Sequence, residues 1–208
     1  MNDIFEISMA EPADASQILD IYRPFIENTA VTFETEIPSL EEFSERIGNV
    51  EGEAPWLVCK TDEDVVGYAY AGMYRVRAAY RWSREVSAYV KEGYRGMGIA
   101  SGLYTSLIEF LRLQGYCNLL ACITIPNPGS IRFHESMGFR HVGTYRNVGF
   151  KLDRFHDVGW WELFIGDVSK APSCIRPVGD VCDSAEGHEA LETGVRKIMS
   201  KSTESSKR

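Results

Sequence analysis

Lys91-Glu92-Gly93-Tyr94-Arg95-Gly96-Met97-Gly98-Ile99-Ala100 stands between a strand-like run ending at Val90 and a long amphipathic helical pattern. Glycines at 93, 96 and 98 let the backbone approach a ligand closely and turn successive N–H groups outward. The helix that follows adds the partial positive charge of its N-terminus. Together these make a cradle for a pyrophosphate. A glycine turn with no ligand is the alternative; the register of strand, turn and helix favours the cradle. The spacing is not G-x-G-x-x-G, and no acidic residue follows about 20 residues later at a second strand end. It is not G-x-x-x-x-G-K-[ST] either, so nicotinamide and P-loop sites are both disfavoured.

Two further groups could carry chemistry. Asn127, Ser130 and His134 fall at i, i+3 and i+7 of a short helical stretch and share one face. An imidazole there can donate or relay a proton, since its reference pKa lies near neutrality. A lone helix histidine also fits a purely structural part. Arg75, Arg77, Arg81 and Arg84 lie within ten residues, interleaved with Tyr74, Tyr80 and Trp82. Guanidinium groups match a carboxylate or phosphinate bidentately. A solvated hairpin or a contact between subunits would use the same residues. The five cysteines, Cys59, Cys117, Cys122, Cys174 and Cys182, form no C-x-x-C pair. A disulfide framework or a metal site is therefore not expected. Cys59, Cys117 and Cys122 sit in apolar runs and read as small core fillers.

These groups need a scaffold, and the hydrophobic periodicity supplies one. Phe5, Ile7 and Met9 alternate as a first strand. After Pro12, Ile18, Ile21, Tyr22 and Phe25 mark one helix face. Ser39-Leu40-Glu41-Glu42 is a capping box that opens a second helix through Ile47. Trp56 to Lys60 and Val65 to Tyr74 are strands joined by the acidic turn Asp62-Glu63-Asp64. Val86 to Val90 leads into the glycine turn, and Ile99 to Leu111 forms the helix after it, closed near Gly115. Leu119 to Ile125 is a buried-type strand, Ser130 to Met137 a short helix stopped at Gly138. Strands near Thr144 to Lys151 and Val158 to Ile165 complete a β-α-α-β-β-β-α-β-α-β-β order. That order predicts an α+β layered domain around one mixed sheet, with a right-handed parallel crossover from Val86 to Ile125.

Arg95-x-x-Gly98-x-Ala100 resembles the R/Q-x-x-G-x-G/A motif of the GNAT superfamily of N-acetyltransferases. Asn127 through Phe139 resembles the Asn, short helix, Gly-Phe element that follows the fifth strand of that family. Tyr22, Thr32-Phe33-Glu34-Thr35, Pro55-Trp56-Leu57-Val58, Gly67 to Gly72, Gly102-Leu103-Tyr104 and His156 to Trp161 resemble its phosphinothricin acetyltransferase-like branch. The resemblance runs from about residue 5 to residue 166. It implies a three-layer domain with a central mixed seven-stranded sheet and helices on both faces.

The resemblance also implies chemistry: acetyl transfer from acetyl-CoA to an amine by direct attack in a ternary complex. That reaction needs a path for the ammonium proton, stabilisation of a tetrahedral oxyanion and a proton for the departing thiolate. Glu85 is similar to the glutamate such enzymes use as general base; a solvated strand-end Glu beside Arg84 is the alternative. His134 stands where many relatives carry a Tyr that protonates the thiolate. Arg95, Gly96, Met97, Gly98, Ile99 and Ala100 would hold the pyrophosphate. Asn127, Ser130 and the backbone of Ala88, Tyr89 and Val90 would hold the pantetheine arm, beside a splay between this strand and the next. Phe33, Arg75, Arg77 and Tyr80 would line the substrate pocket. Phosphinothricin or methionine sulfoximine is the expected substrate type. A polyamine, aminoglycoside or protein N-terminus is the alternative acceptor, and a non-catalytic acyl-CoA-binding module a third reading. A homodimer is implied as well, with Phe155, Trp160, Trp161 and Phe164 either between subunits or in the core.

Composition sets the bounds. With 208 residues, 44% hydrophobic and 25% charged, the chain fits one ordinary globular domain plus an extension. A net charge of −8 argues against a nucleic-acid partner. No apolar run is long enough for a membrane span. The acidic start Met1-Asn2-Asp3-Ile4-Phe5-Glu6 lacks a leader's basic and apolar regions, so a cytoplasmic location is expected. Residues 1–168 read as the catalytic domain. Residues 169–208 hold no aromatic residue and read as a polar extension, mobile or loosely docked. Ser206-Lys207-Arg208 departs from an S-K-L address.

Overall fold

The computed structural model describes residues 4–48, 54–62 and 64–205. The acidic start at residues 1–3, Glu63 of the acidic turn and the terminal Ser206-Lys207-Arg208 lie outside the described residues. Strands β1 (Glu6–Met9), β2 (Trp56–Lys60), β3 (Val65–Met73), β4 (Ser83–Val90), β5 (Asn118–Ile125), β6 (Arg140–Lys151) and β7 (Arg154–Phe164) form one seven-stranded sheet. Their order is β1-β2-β3-β4-β5-β7-β6. Every neighbouring pair is antiparallel except β4 with β5.

Helices α1 (Ala15–Asn28) and α2 (Leu40–Gly48) cover one face. Ile18, Tyr22, Phe43 and Ile47 share a core there with Val58, Tyr68 and Tyr89. Helix α3 (Ile99–Gln114) covers the other, where Ile99, Leu103 and Leu107 pack with Leu57, Cys59, Val86 and Leu119. Strand β2 reads as nearly continuous apolar sequence because both of its faces are covered. The capping box at the start of α2 is formed, with Glu42 N–H donating to Ser39 Oγ at 3.2 Å and Ser39 N–H to Glu42 Oε2 at 2.8 Å. Helix α4 (Pro128–Ser136) follows β5, and Asn127 is its N-cap, accepting from Ser130 N–H at 3.1 Å.

Of the two expectations for the extension, mobile or loosely docked, the structure has it docked: it holds α5 (Val178–Cys182) and α6 (Ala185–Ser205), and α6 lies along α3. Val181 and Ile198 are fully buried, as is most of Ala190. The docking relies on small residues rather than aromatic ones. A Cβ built on Gly102 would lie 2.4 Å from Ile198 Cγ1 and 2.7 Å from the Gly194 carbonyl. Ser106 Oγ donates across the contact to the Leu191 carbonyl at 3.1 Å. The connecting segment is also pinned: Trp82 Nε1 donates to the Ser173 carbonyl at 2.8 Å, and Gln114 Nε2 to the Arg176 carbonyl at 2.9 Å. Absence of aromatic residues removed the sequence signal, but close backbone approach supplies the contact area instead.

A second correction concerns cysteine. Cys59 is fully buried and Cys117 half-buried, but Cys122 is exposed. Its side chain alternates onto the face of β5 away from α3, where the sheet opens. No described helix is long and apolar enough to cross a membrane.

Candidate active site

Strands β4 and β5 pair only at Ser83 with Asn118, Arg84 with Leu119 and Glu85 with Leu120. Beyond that point both continue, β4 to Val90 and β5 to Ile125, without pairing to each other. The expected splay is therefore present, and Glu85 stands at its apex. Along that edge the backbone of Ala88, Tyr89 and Val90 pairs with β3 on one side and leaves the β5 side open.

On the α3 face, the splay opens into a cavity of about 540 Å³. Ala88, Val90, Arg95, Gly96, Gly98, Ile99, Ala100, Ser130 and His134 line it, as the spacing requires. The turn is built by left-handed glycines, with φ of 91° at Gly93, 84° at Gly96 and 90° at Gly98. The N-cap of α3 is Gly98, which offers no side-chain acceptor, and its first turn holds no acidic residue. Its free N–H groups are thus open to an anionic ligand. Three expected ligands contribute differently. Met97 packs half-buried against the core, and the Asn127 side chain is occupied in capping α4. The Tyr89 ring packs on the opposite face between Tyr22 and Phe25, leaving only its backbone at the splay.

His134 is buried at the cavity wall. The Ser130 carbonyl can only accept, so His134 Nδ1–H donates to it at 2.8 Å. That assigns Nε2 as an acceptor, and Tyr104 O–H donates to it at 3.0 Å. Burial holds the His134 pKa below the ordinary imidazole value, against the opposite effect of the Ser130 hydrogen bond. The ring is therefore neutral at neutral pH. Glu85 faces away from α3, with Ser87 and Tyr89. Desolvation pushes its carboxyl pKa above the usual value. The Tyr104 phenol is raised by burial first and by Glu85 among its charged neighbours.

Comparison with known proteins decides the family. Residues 7–160 match the model of the acetyltransferase (GNAT) domain. The chain belongs to the GNAT family of acetyltransferases. It is 35% identical over 176 residues to a phosphinothricin N-acetyltransferase of Streptomyces viridochromogenes, covering 85% of this chain and 96% of that protein. A Salmonella typhimurium L-methionine sulfoximine/L-methionine sulfone acetyltransferase is 28% identical over 172 residues, covering 81% and 99%. A Sinorhizobium meliloti GNAT phosphinothricin acetyltransferase, solved with acetyl-CoA, superimposes with a TM-score of 0.78 at 31% identity, covering 82% and 94%. As a member of this group, the chain is an acetyl-CoA-dependent N-acetyltransferase.

The acetyltransferase places its arginine cluster elsewhere. Arg75, Arg77, Arg81 and Arg84 line a separate cavity of about 550 Å³, with Tyr80, Tyr116 and Cys174, Ile175 and Pro177 of the extension. Arg84 is buried there, and its Nη2 donates to Tyr116 O–H at 2.6 Å. Arg75 lies over both the Tyr74 and Tyr80 rings, at 5.1 and 5.6 Å. It also lines a smaller cavity with Tyr74, Leu120, Tyr145 and Trp160. Phe33 does not line the arginine cavity. It packs on the β6–β7 hairpin of the acetyltransferase, 6.1 Å from the His156 ring. Tyr94, Ser101, Tyr104, Gly129, Phe133 and Lys201 also line the coenzyme cavity and escaped the sequence reading of the site. Tyr104 was legible as part of the family resemblance and as a buried helix aromatic whose hydroxyl needs a partner. Lys201 sits in the extension, whose docking carried no aromatic signal.

Proposed function

We propose that this enzyme transfers acetyl from acetyl-CoA to the amino group of a small amino-acid-like substrate of the phosphinothricin or methionine sulfoximine type. One observation carries the reading: the β4–β5 splay joins an anion cradle on one face to a desolvated carboxylate, Glu85, on the other. Acetyl-CoA fits the cradle through its phosphates, on Arg95, Gly96, Gly98 and the free N–H groups of α3. The open backbone edge at Ala88 to Val90 suits the pantetheine amides. Glu85 takes the ammonium proton, directly or through water. Tyr104 O–H turns to the departing thiolate and gives it the phenolic proton, and the Tyr104 oxygen is reprotonated from water; His134 Nε2, which carries no proton, orients that hydroxyl beforehand. Arg75, which lines both the arginine cavity and the smaller cavity beside Leu120, the register partner of Glu85, recognises the substrate's carboxylate or phosphinate, with Arg77 and Tyr80 behind it. Residues 1–168 form the catalytic domain.

The relatives named above act on phosphinothricin or on methionine sulfoximine and sulfone, which supports this acceptor class. Full-length protein with acetyl-CoA is expected to release free thiol with phosphinothricin or methionine sulfoximine. Cationic polyamines and aminoglycosides should give little, because guanidinium groups repel them. Thiol release confined to the cationic amines would overturn the acceptor assignment.

We further infer a cytoplasmic homodimer. Acetyl-CoA is made and held inside cells. The β6–β7 hairpin exposes Tyr145, Val148, Phe150 and Phe155, with Phe150 and Phe155 59% and 63% exposed. Such an apolar band on one hairpin suits a second subunit. Sedimentation should show a species of twice the 23.4 kDa chain mass. Phe150→Glu combined with Phe155→Glu should shift it to one chain, and a wild-type monomer would refute the dimer.

A further inference from the structure

Lys201 lies beyond the residues matched by the family model, yet it lines the coenzyme cavity. Helix α6 carries it there. A Cβ built on Gly98 would lie 3.1 Å from Lys201 Cβ and 3.2 Å from its Cδ, so the lysine stem runs along the glycine turn. Its Nζ donates to Ser101 Oγ at 2.9 Å, one turn into α3. The position is fixed from behind by Ile198, buried against Gly102.

The electrostatics of this arrangement are one-sided. Lys201 and Arg95 both line the cavity, and among its described lining residues there is no carboxylate. The Arg95 guanidinium lies over the Phe25 ring at 5.3 Å. A cation beside a helix N-terminus is opposed by the helix dipole. Here Lys201 and the uncapped end of α3 meet in a cavity that Arg95 also lines, in a chain whose net charge is −8. Such convergence is favourable only once an anion stands among them.

We propose that Lys201 is a phosphate ligand of the coenzyme, supplied by the C-terminal extension to the cradle built by the catalytic domain. The ammonium exchanges Ser101 Oγ for a phosphate oxygen, of either the pyrophosphate or the 3′-phosphate. This rests on the assignment of the glycine turn as the coenzyme cradle.

Full-length wild type, Lys201→Ala and Lys201→Arg are compared by calorimetric titration with coenzyme A and by turnover of S-acetylpantetheine, which lacks the nucleotide phosphates. Lys201→Ala should weaken coenzyme A about tenfold more than it raises the KM for S-acetylpantetheine, the scale of one charge-assisted hydrogen bond. Lys201→Arg should recover most of the affinity. Dephospho-coenzyme A locates the contact: a persistent difference between wild type and Lys201→Ala marks the pyrophosphate, its disappearance the 3′-phosphate. Coenzyme A affinity equal to wild type in Lys201→Ala, or an equal loss with S-acetylpantetheine, would overturn the proposal. Gly96→Glu separates the two levels, because a carboxylate in the cradle should abolish coenzyme A binding. If Gly96→Glu binds normally, the cradle assignment falls and Lys201 with it; if only Lys201→Ala is neutral, the cradle stands alone.

Discussion

Glu85→Gln is expected to lower kcat by about 10² to 10⁴-fold, the usual worth of a positioned general base. Coenzyme A affinity should be unchanged, because Glu85 faces the side of β4 opposite the cradle. Glutamine keeps the shape and the strand pairing with Gly72, so packing does not confound the result. The pH profile gives an independent check. Only the ionised carboxyl accepts a proton, so wild-type kcat/KM rises as pH passes upward through the Glu85 pKa. Desolvation sets that pKa above the ordinary carboxylate value, and the acid limb should be displaced upward accordingly. The variant should lose that limb. Unchanged turnover would remove Glu85 from catalysis.

The same group should show a cost in stability. Its folded pKa lies above its unfolded one, so the fold favours the protonated form. That contribution is present below the unfolded pKa and lost as pH rises through the folded one. At neutral pH the ionised Glu85 is therefore a burden, and Glu85→Gln should melt no lower than wild type. A residue kept for chemistry at the expense of stability behaves in this way.

Much of this site was legible because its signals are local. Glycine is the residue that tolerates the left-handed conformations of Gly93, Gly96 and Gly98, so the turn announces itself in the sequence. The i, i+3, i+7 spacing of Asn127, Ser130 and His134 placed them on α4, although Asn127 proves to be occupied as its cap. Glu85 was different: nothing local marks it, and resemblance alone singled it out. Strands β2, β3 and β5 were read nearly to their ends, β4 three residues short, from Val86 rather than Ser83, and β7 four short, from Val158 rather than Arg154. Strand β6 was read four residues short, from Thr144 rather than Arg140, because its side chains are mostly exposed and carry little apolar alternation. The partners that depend on distant segments meeting, Tyr104 with His134 and Lys201 with Ser101, had no signature within a window of sequence.

The docking of α6 is where that limit matters most, and Gly194→Val tests it. A Cβ at Gly194 would lie 2.1 Å from Ser106 Oγ, 2.5 Å from the Gly102 carbonyl and 2.9 Å from Ile7 Cδ1. The Gly102 carbonyl belongs to the backbone of α3, and Ser106 is held by its bond to Leu191, so neither yields easily. Helix α6 must lift, uncovering Ile198 and the face of α3 beneath it. Overpacking together with lost burial predicts a destabilisation of about 2–4 kcal/mol. For a chain of this length that lowers Tm by about 5–15 °C. Protease cleavage should appear within residues 185–205, where the docked helix is protected. Gly179→Ala is the control from the same extension, since its Cβ meets nothing within 4 Å. It should shift stability by no more than about 0.5 kcal/mol. Lifting α6 also withdraws Lys201 from the cradle, so Gly194→Val should weaken coenzyme A at least as much as Lys201→Ala does. A Gly194→Val protein with wild-type melting and wild-type coenzyme affinity would show that α6 is not docked on α3 in solution.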